Sequence, residues 1–249
     1  MRLVQYPFIP ALLLAGLCAF SQTGNLKFEH IGTEAGLSQS NVTCILRDSK
    51  GFMWFGTRDG LNKYDGYGFA VFKNSVEDSQ SLSNNFVTAL IEDKIGDLWV
   101  GTWGGGLDRF DRCKNRFIHY AATVPGSHVN ALMLDDAGCI WVGTTDRGIS
   151  ILNPASGRVS GLVNKPDDPN SLSDNDVSSI IEDHNHAIWV GTSEGGLNLY
   201  NRNSHSFTRW QHEQKNNSSL ASNAIQKVFE DRRHRLFIGM RDGGLDLFD

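Results

Sequence analysis

The sequence predicts an all-β fold made of repeated four-stranded units, and three observations carry that prediction. A Trp-x-Gly-Thr signature recurs at Trp54, Trp99, Trp141 and Trp189, with a degenerate copy at Phe237-Ile238-Gly239-Met240, at spacings of 45, 42, 48 and 48 residues. Apolar residues alternate with a period of two, and almost no 3.6-residue pattern follows the apolar N-terminal run. The 249-residue chain holds 26 Gly against 6 Pro, a composition that supplies many tight turns and hence many short strands. A period of about 45 residues is the length of one four-stranded propeller blade. The expected architecture is therefore a β-propeller of four-stranded antiparallel blades, with about five units.

Each unit follows one script. The first strand is expected within VTCILRD from Val42, LSNNFVTALIED from Leu82, VNALMLD from Val129, VSSIIED from Val177 and IQKVFED from Ile225. These runs are short, rich in β-formers and bounded by turns, which favours strands over helices. Asp48, Gly51 and Trp54, like Asp93, Gly96 and Trp99 or Asp135, Gly138 and Trp141, read as an Asp-capped hairpin leading into the W-x-G-T strand. His186 and His234 take the glycine's place in the later copies. One large aromatic per unit at one strand position is expected to bury against the neighbouring sheet. A glycine turn and an alternating strand such as GLDRF or GLNLY come next. A fourth strand is expected in three units: FAVF from Phe69, FIHY from Phe117 and FTRW from Phe207.

The stretch GTWGGG, Gly101 to Gly106, looks like a phosphate cradle but has four cousins: GTRDG from Gly56, GTTDRG from Gly143, GTSEGG from Gly191 and GMRDGG from Gly239. A phosphate loop sits between a strand and a helix whose N-terminus faces the anion. Here a strand follows every copy, so the glycines are read as hairpin corners that need positive φ.

The bulk numbers exclude some classes. A net charge of -5 with scattered Lys and Arg offers no field for a polyanion, so no nucleic-acid partner is expected. Arg2, the apolar run Phe8 to Leu17 and the small residues around Ala19-Phe20-Ser21 read as a signal peptide, residues 1–21. That leaves 22–249 as the propeller region and implies export to the periplasm. The apolar run contains Pro10 and falls short of the roughly 18 residues a bilayer span needs, so no transmembrane span is expected. Cys44, Cys113 and Cys139 are scattered, and no C-x-x-C or H-x-x-x-H spacing is present, so neither a disulfide framework, a metal site nor a cofactor is expected. Cys44 and Cys139 read as small apolar strand residues.

The pattern LSxNxVxxIxEDxxGxxWVGTxxGGLxxY resembles the two-component regulator propeller repeat of periplasmic sensor regions in bacterial hybrid two-component systems. The resemblance covers Leu26 to Asp249, and Gly36 to Phe69 resembles the usual first repeat of such proteins. It implies relatives in which the repeats complete seven-bladed rings before a β-sandwich, an inner-membrane helix, and kinase and regulator domains. Against that pattern the sequence stops one strand short of finishing its fifth unit. The resemblance thus implies an incomplete arc of a seven-bladed propeller, an N-terminal fragment without phosphotransfer residues and no enzyme in this chain. Leu26 to Ile31 resembles the outermost strand of a blade, the segment that would close a five-bladed ring; the open arc is the expectation.

Loops joining an outer strand to the next inner strand, and the second strand to the third, emerge on one face of a propeller. The second kind varies where the repeat does not need it: Arg58-Asp59, Trp103-Gly104, Thr145-Asp146-Arg147, Ser193-Glu194 and Arg241-Asp242. The candidate ligand-binding residues are Trp103, Arg58, Asp59, Asp146, Arg147, Glu194, Arg241 and Asp242. Trp103 supplies a stacking platform, and the acids and arginines supply hydrogen-bond partners for a hydroxyl-rich ligand. Asn85, Asn175 and Asn223 share a repeat position and are expected to cap turns. The inter-blade loops do not reproduce a calcium-loop pattern, and the eight histidines show no common placement. The leading functional reading is a ligand-sensing propeller, with an oligosaccharide ligand and a homodimer implied by the resemblance. Two alternatives stay open: a carbohydrate-active propeller enzyme, glycosidase or lyase, with paired carboxylates at the channel, and a protein-interaction scaffold.

Overall fold

The computed structural model describes residues 27–248; the expected signal peptide, 1–21, lies outside them. Nineteen strands among the described residues form five antiparallel sheets. Blade 1 holds β1 (Val42–Arg47), β2 (Met53–Thr57), β3 (Gly60–Tyr64) and β4 (Phe69–Phe72), and blade 2 holds β5 (Val87–Glu92), β6 (Leu98–Thr102), β7 (Gly106–Asp111) and β8 (Arg116–His119). Blade 3 holds β9 (Val129–Leu134), β10 (Ile140–Thr144), β11 (Ile149–Leu152) and β12 (Val159–Leu162), and blade 4 holds β13 (Val177–Glu182), β14 (Ile188–Thr192), β15 (Leu197–Asn201) and β16 (Ser206–Trp210). Blade 5 has three strands, β17 (Ile225–Glu230), β18 (Leu236–Met240) and β19 (Leu245–Phe248). Within each sheet the strands pair in chain order. The first strands pack in succession, β1 on β5, β5 on β9, β9 on β13 and β13 on β17, so each sheet is the radial neighbour of the next.

Strand β12 corrects the expectation of a fourth strand in only three units. Its sequence, VSGL, exposes the central Ser160 and Gly161 and so lacks the aromatic alternation that marks β4, β8 and β16. Residues 27–32 form no strand.

The signature residues have separable physical jobs. Each tryptophan donates its indole N–H to the Asp six residues earlier: Trp54 to Asp48 (2.8 Å), Trp99 to Asp93 (2.9 Å), Trp141 to Asp135 (2.9 Å) and Trp189 to Asp183 (2.8 Å). The other carboxylate oxygen of that Asp accepts backbone N–H groups of the turn, for example those of Lys50 and Phe52 on Asp48. One acid therefore fixes both the hairpin and the buried indole. The degenerate fifth copy keeps this arrangement by substitution. Phe237 has no indole, and the Arg235 guanidinium donates to Asp231 Oδ2 instead (2.8 and 2.6 Å) while lying 5.1 Å above the Phe237 ring. That pairing, with backbone N–H bonds from Arg235 and Arg233, lowers the Asp231 pKa to about 2.

The signature glycine permits blades to approach. A Cβ at Gly101, Gly143 or Gly191 would stand 2.5, 2.6 or 2.5 Å from a methyl of Val129, Val177 or Ile225 on the next blade. The threonine closes the second-to-third strand turn. Thr102 Oγ1 donates to the Gly106 carbonyl (3.0 Å) and accepts from Gly105 N–H (3.2 Å), with counterparts at Thr57, Thr144 and Thr192. Gly104 and Gly106 adopt φ of 121° and 80°, so the glycines of GTWGGG turn a corner in a hairpin.

Four apolar clusters sit between successive blades, each built on one signature tryptophan. Trp54, Trp99 and Trp141 are at most 2% exposed. Burying a neighbouring Leu or Val, such as Leu98 and Val100, contributes about 1.5–3 kcal/mol relative to exposure. The two outer faces lack this cover. Val42 is 37% exposed where its counterparts Val87, Val129 and Val177 are fully buried, and Leu245 is 66% exposed where Leu61, Ile149 and Leu197 are fully buried. Five blades thus form an open arc, and a Cβ on Gly239 would meet only the Lys227 carbonyl of its own sheet. Cys44 packs within the first inter-blade cluster, and burial pushes its thiol up to about 11. Cys139 lies in a turn before β10, correcting its assignment to a strand; its N–H donates to Asp135.

Candidate functional site

The rim is positioned by hydrogen bonds that repeat from blade to blade. The first residue of each second-to-third strand turn donates its N–H to the carbonyl of the residue preceding the inner strand. The pairs are Trp103 to Phe86 (2.8 Å), Thr145 to His128 (3.2 Å), Ser193 to Asp176 (2.9 Å) and Arg241 to Ala224 (2.8 Å). In blade 1 the Arg58 N–H donates to the Gln39 side chain (3.2 Å). Asn85, Asn175 and Asn223 brace the loops behind, accepting N–H bonds from Asn74, Asn164 and His212 on their side-chain oxygens. These asparagines are turn caps, as expected. Two variable positions of the repeat thereby stand side by side on one end of the arc.

One half of this rim is aromatic. The Arg58 guanidinium lies 5.1 Å from the Phe86 ring, Phe86 lies 6.1 Å from Trp103, and Trp103 meets His128 edge-on at 4.5 Å. A backbone bridge between Trp103 and His128 joins blades 2 and 3 at this point. Trp103 is 41% exposed, in contrast to the four signature tryptophans. An indole held by backbone on one side and open on the other is a platform for stacking.

The other half is polar. Asn130 donates to Asp176 Oδ1 (3.3 Å) across the junction of blades 3 and 4. Burial, joined by the charges of Asp174 and Glu194, raises the Asp176 pKa against the Ser193 side chain and the Arg241 charge, which lower it. Ser178 Oγ on β13, two residues beyond Asp176, is buried without a hydrogen-bond partner. Acceptors, donors and one positive charge are thus gathered beside the aromatic row.

Of the residues singled out in the sequence, Arg58, Trp103, Glu194 and Arg241 belong to this row. The others are engaged locally. Asp59 pairs with Lys73 (2.6 Å), Asp146 with Arg147 (3.4 Å), and Asp242 accepts from Ser222 Oγ (2.6 Å). Phe86, His128 and Asp176 were missed. Each precedes the fixed Val of its first strand, and residue variation immediately before a fixed register position is the signal that finds them.

The opposite end of the arc is built differently. Arg112 bridges Asp48 of blade 1 (2.8 Å) and Glu92 of blade 2 (3.1 Å), and Arg202 bridges Asp136 of blade 3 (3.4 Å) and Glu182 of blade 4 (3.0 Å). Burial raises the Asp48 pKa, but the Trp54, Phe52 and Arg112 bonds outweigh it and hold the carboxyl low. These arginines clip neighbouring blades.

Radially successive sheets with a fixed inner framework and a variable rim define a β-propeller repeat protein. Residues 36–59, 81–104, 123–146 and 171–194 each match the two component regulator propeller family model, so these four segments are repeats of that family. Each matched segment runs from ahead of a first strand into the second-to-third strand turn, so it contains both rim positions. Over 63 residues the chain is 48% identical to histidine kinase P4 of Formosa agariphila, covering 25% of this chain and 5% of that protein. The extracellular domain of BT4673 from B. thetaiotaomicron, a candidate hybrid two component system, superposes with a TM-score of 0.69 at 25% identity, over 84% of this chain and 27% of that one. PorZ of Porphyromonas gingivalis shares the fold at 16% identity and a TM-score of 0.62, over 84% of this chain and 32% of that one. The chain therefore spans only a small part of these relatives. No helix among the described residues is long and apolar enough to cross a membrane.

Proposed function

We propose that this chain is ligand-sensing propeller sequence of an exported two-component receptor, and that its variable rim recognises an oligosaccharide without turning it over. The observation that carries the reading is the row from Arg58 through Phe86, Trp103 and His128, with the Asp176, Ser193 and Arg241 group at the equivalent positions of later blades. A sugar ring presents an apolar face to an indole and hydroxyls around its edge, and this row offers both kinds of partner. Its placement at the positions the repeat leaves free supports recognition rather than architecture. The extracellular placement of the BT4673 domain supports export.

The test is calorimetric titration against an oligosaccharide panel with product analysis of the same samples. Heat of binding with unchanged sugar supports the reading. Released product makes the protein an enzyme, and the absence of binding across the panel removes the sugar from the proposal.

A further inference from the structure

On the end of the arc opposite the rim, three of the four junctions bring a turn residue of one blade against an acid ending the next blade's first strand. Ser49 meets Glu92, Asp136 meets Glu182, and His184 meets Glu230. At the last two junctions a turn histidine of the next blade joins: His186 lies 3.1 Å from Glu182, and His234 lies 3.6 Å from Glu230. We propose that His184, Glu230 and His234 form a binding site for a divalent transition-metal ion of the Zn2+ class, which clips blade 4 to blade 5.

The geometry and the donor chemistry favour this site. One ligand atom from each of the three side chains lies within 4.8 Å of the other two. Both histidines direct Nδ1 at the same oxygen, Glu230 Oε1, and their rings lie 3.9 Å apart at 33°. Metal–ligand bonds of about 2.0–2.2 Å need only small side-chain movements from such a starting point. Two imidazoles and one carboxylate form the donor set of open zinc sites, whereas Ca2+ and Mg2+ prefer all-oxygen surroundings.

The preceding junction supplies the comparison. At the equivalent cluster of Asp136, Glu182 and His186, the Arg202 guanidinium already sits 3.0 Å from Glu182 and 3.4 Å from Asp136. A cation thus already lies between those side chains. The backbone sets the choice of variant. His234 has φ of 62° at the turn position where Gly51, Gly96 and Gly138 have 90°, 89° and 83°. His186, in the arginine-filled cluster, has the same φ of 62°, so glycine is the matched replacement at both positions.

The turn position also supplies a clean variant. His234→Gly installs the residue that other blades use at this φ, so it removes a ligand and relaxes the turn. Zn2+ is titrated calorimetrically into the untagged, chelator-treated chain, and Co2+ into a parallel sample followed by visible absorption. The native chain is expected to bind one equivalent of Zn2+ and to give the d–d bands of four-coordinate Co2+. His234→Gly is expected to lose both signals, and His186→Gly, in the arginine-filled cluster, to keep them. Absence of binding in the native chain, undiminished binding in His234→Gly, or loss in His186→Gly would overturn the proposal.

Discussion

Replacing Gly143 by alanine probes the contact on which the stacking of blades depends. The new Cβ would lie 2.6 Å from Val177 Cγ1, 3.1 Å from Val177 Cβ and 3.2 Å from Ile180 Cδ1. Carbon atoms in contact sit about 3.5–4.0 Å apart, so β10 and β13 must separate by roughly 1 Å or shift sideways. Overpacking of this size costs about 1–3 kcal/mol, while the loss of unfolded-state freedom on replacing glycine returns about 0.4–1 kcal/mol. The net expectation is a destabilisation of about 1–2 kcal/mol. For a chain of this length that lowers the thermal midpoint by about 2–8 °C. Gly239 occupies the same signature position in blade 5, yet an added Cβ meets only the Lys227 carbonyl at 3.6 Å. Gly239→Ala therefore keeps the entropic gain without the clash, and its midpoint should stay level or rise. Urea unfolding followed by circular dichroism, with thermal melts on the same samples, reads both variants. A silent Gly143→Ala, or a Gly239→Ala as damaging as Gly143→Ala, would refute the reasoning, the latter by showing that the face of blade 5 is covered.

Three further predictions follow from single contacts. Trp99→Phe keeps most of the buried ring but leaves Asp93 Oδ2 without the indole donor, and should cost about 1–3 kcal/mol in the same urea assay. The Asp231 carboxyl, held to about pKa 2 by Arg235 from the ordinary 3.8, contributes stability that is present above pH 3.8 and fades as the pH falls toward 2; Arg235→Gln should return its NMR titration toward the ordinary value. Cys44, with its thiol pushed up to about 11 by burial, should resist a thiol reagent until the chain unfolds, whereas the exposed Cys113 should react at once.

The blade framework was legible in the sequence because each signature residue acts close to home. Trp bonds an Asp six residues away, Thr closes the turn that follows it, and the spacing repeats often enough to identify the unit. Strand β12 escaped because a strand that exposes Ser160 and Gly161 carries no apolar alternation. Phe237 read as decay of the signature, since its compensation by Arg235 depends on a guanidinium reaching where an indole N–H stood. The rim was half legible. Trp103 and Arg58 stand out as unusual turn residues, but Phe86, His128 and Asp176 acquire meaning only when loops of one repeat hydrogen-bond to each other. Histidines 184 and 234 showed no pattern for a related reason: residues on successive repeats meet Glu230 only after the blades stack.

The most direct test of the account is the affinity of an oligosaccharide identified on the panel, measured for Trp103→Ala and for Arg112→Ala on the opposite end of the arc. Loss of a stacking indole is expected to weaken binding by about tenfold, equivalent to about 1.4 kcal/mol, while Arg112→Ala leaves the affinity unchanged. Binding that survives Trp103→Ala and falls with Arg112→Ala would contradict the account, because recognition would then lie on the clipped end of the blades.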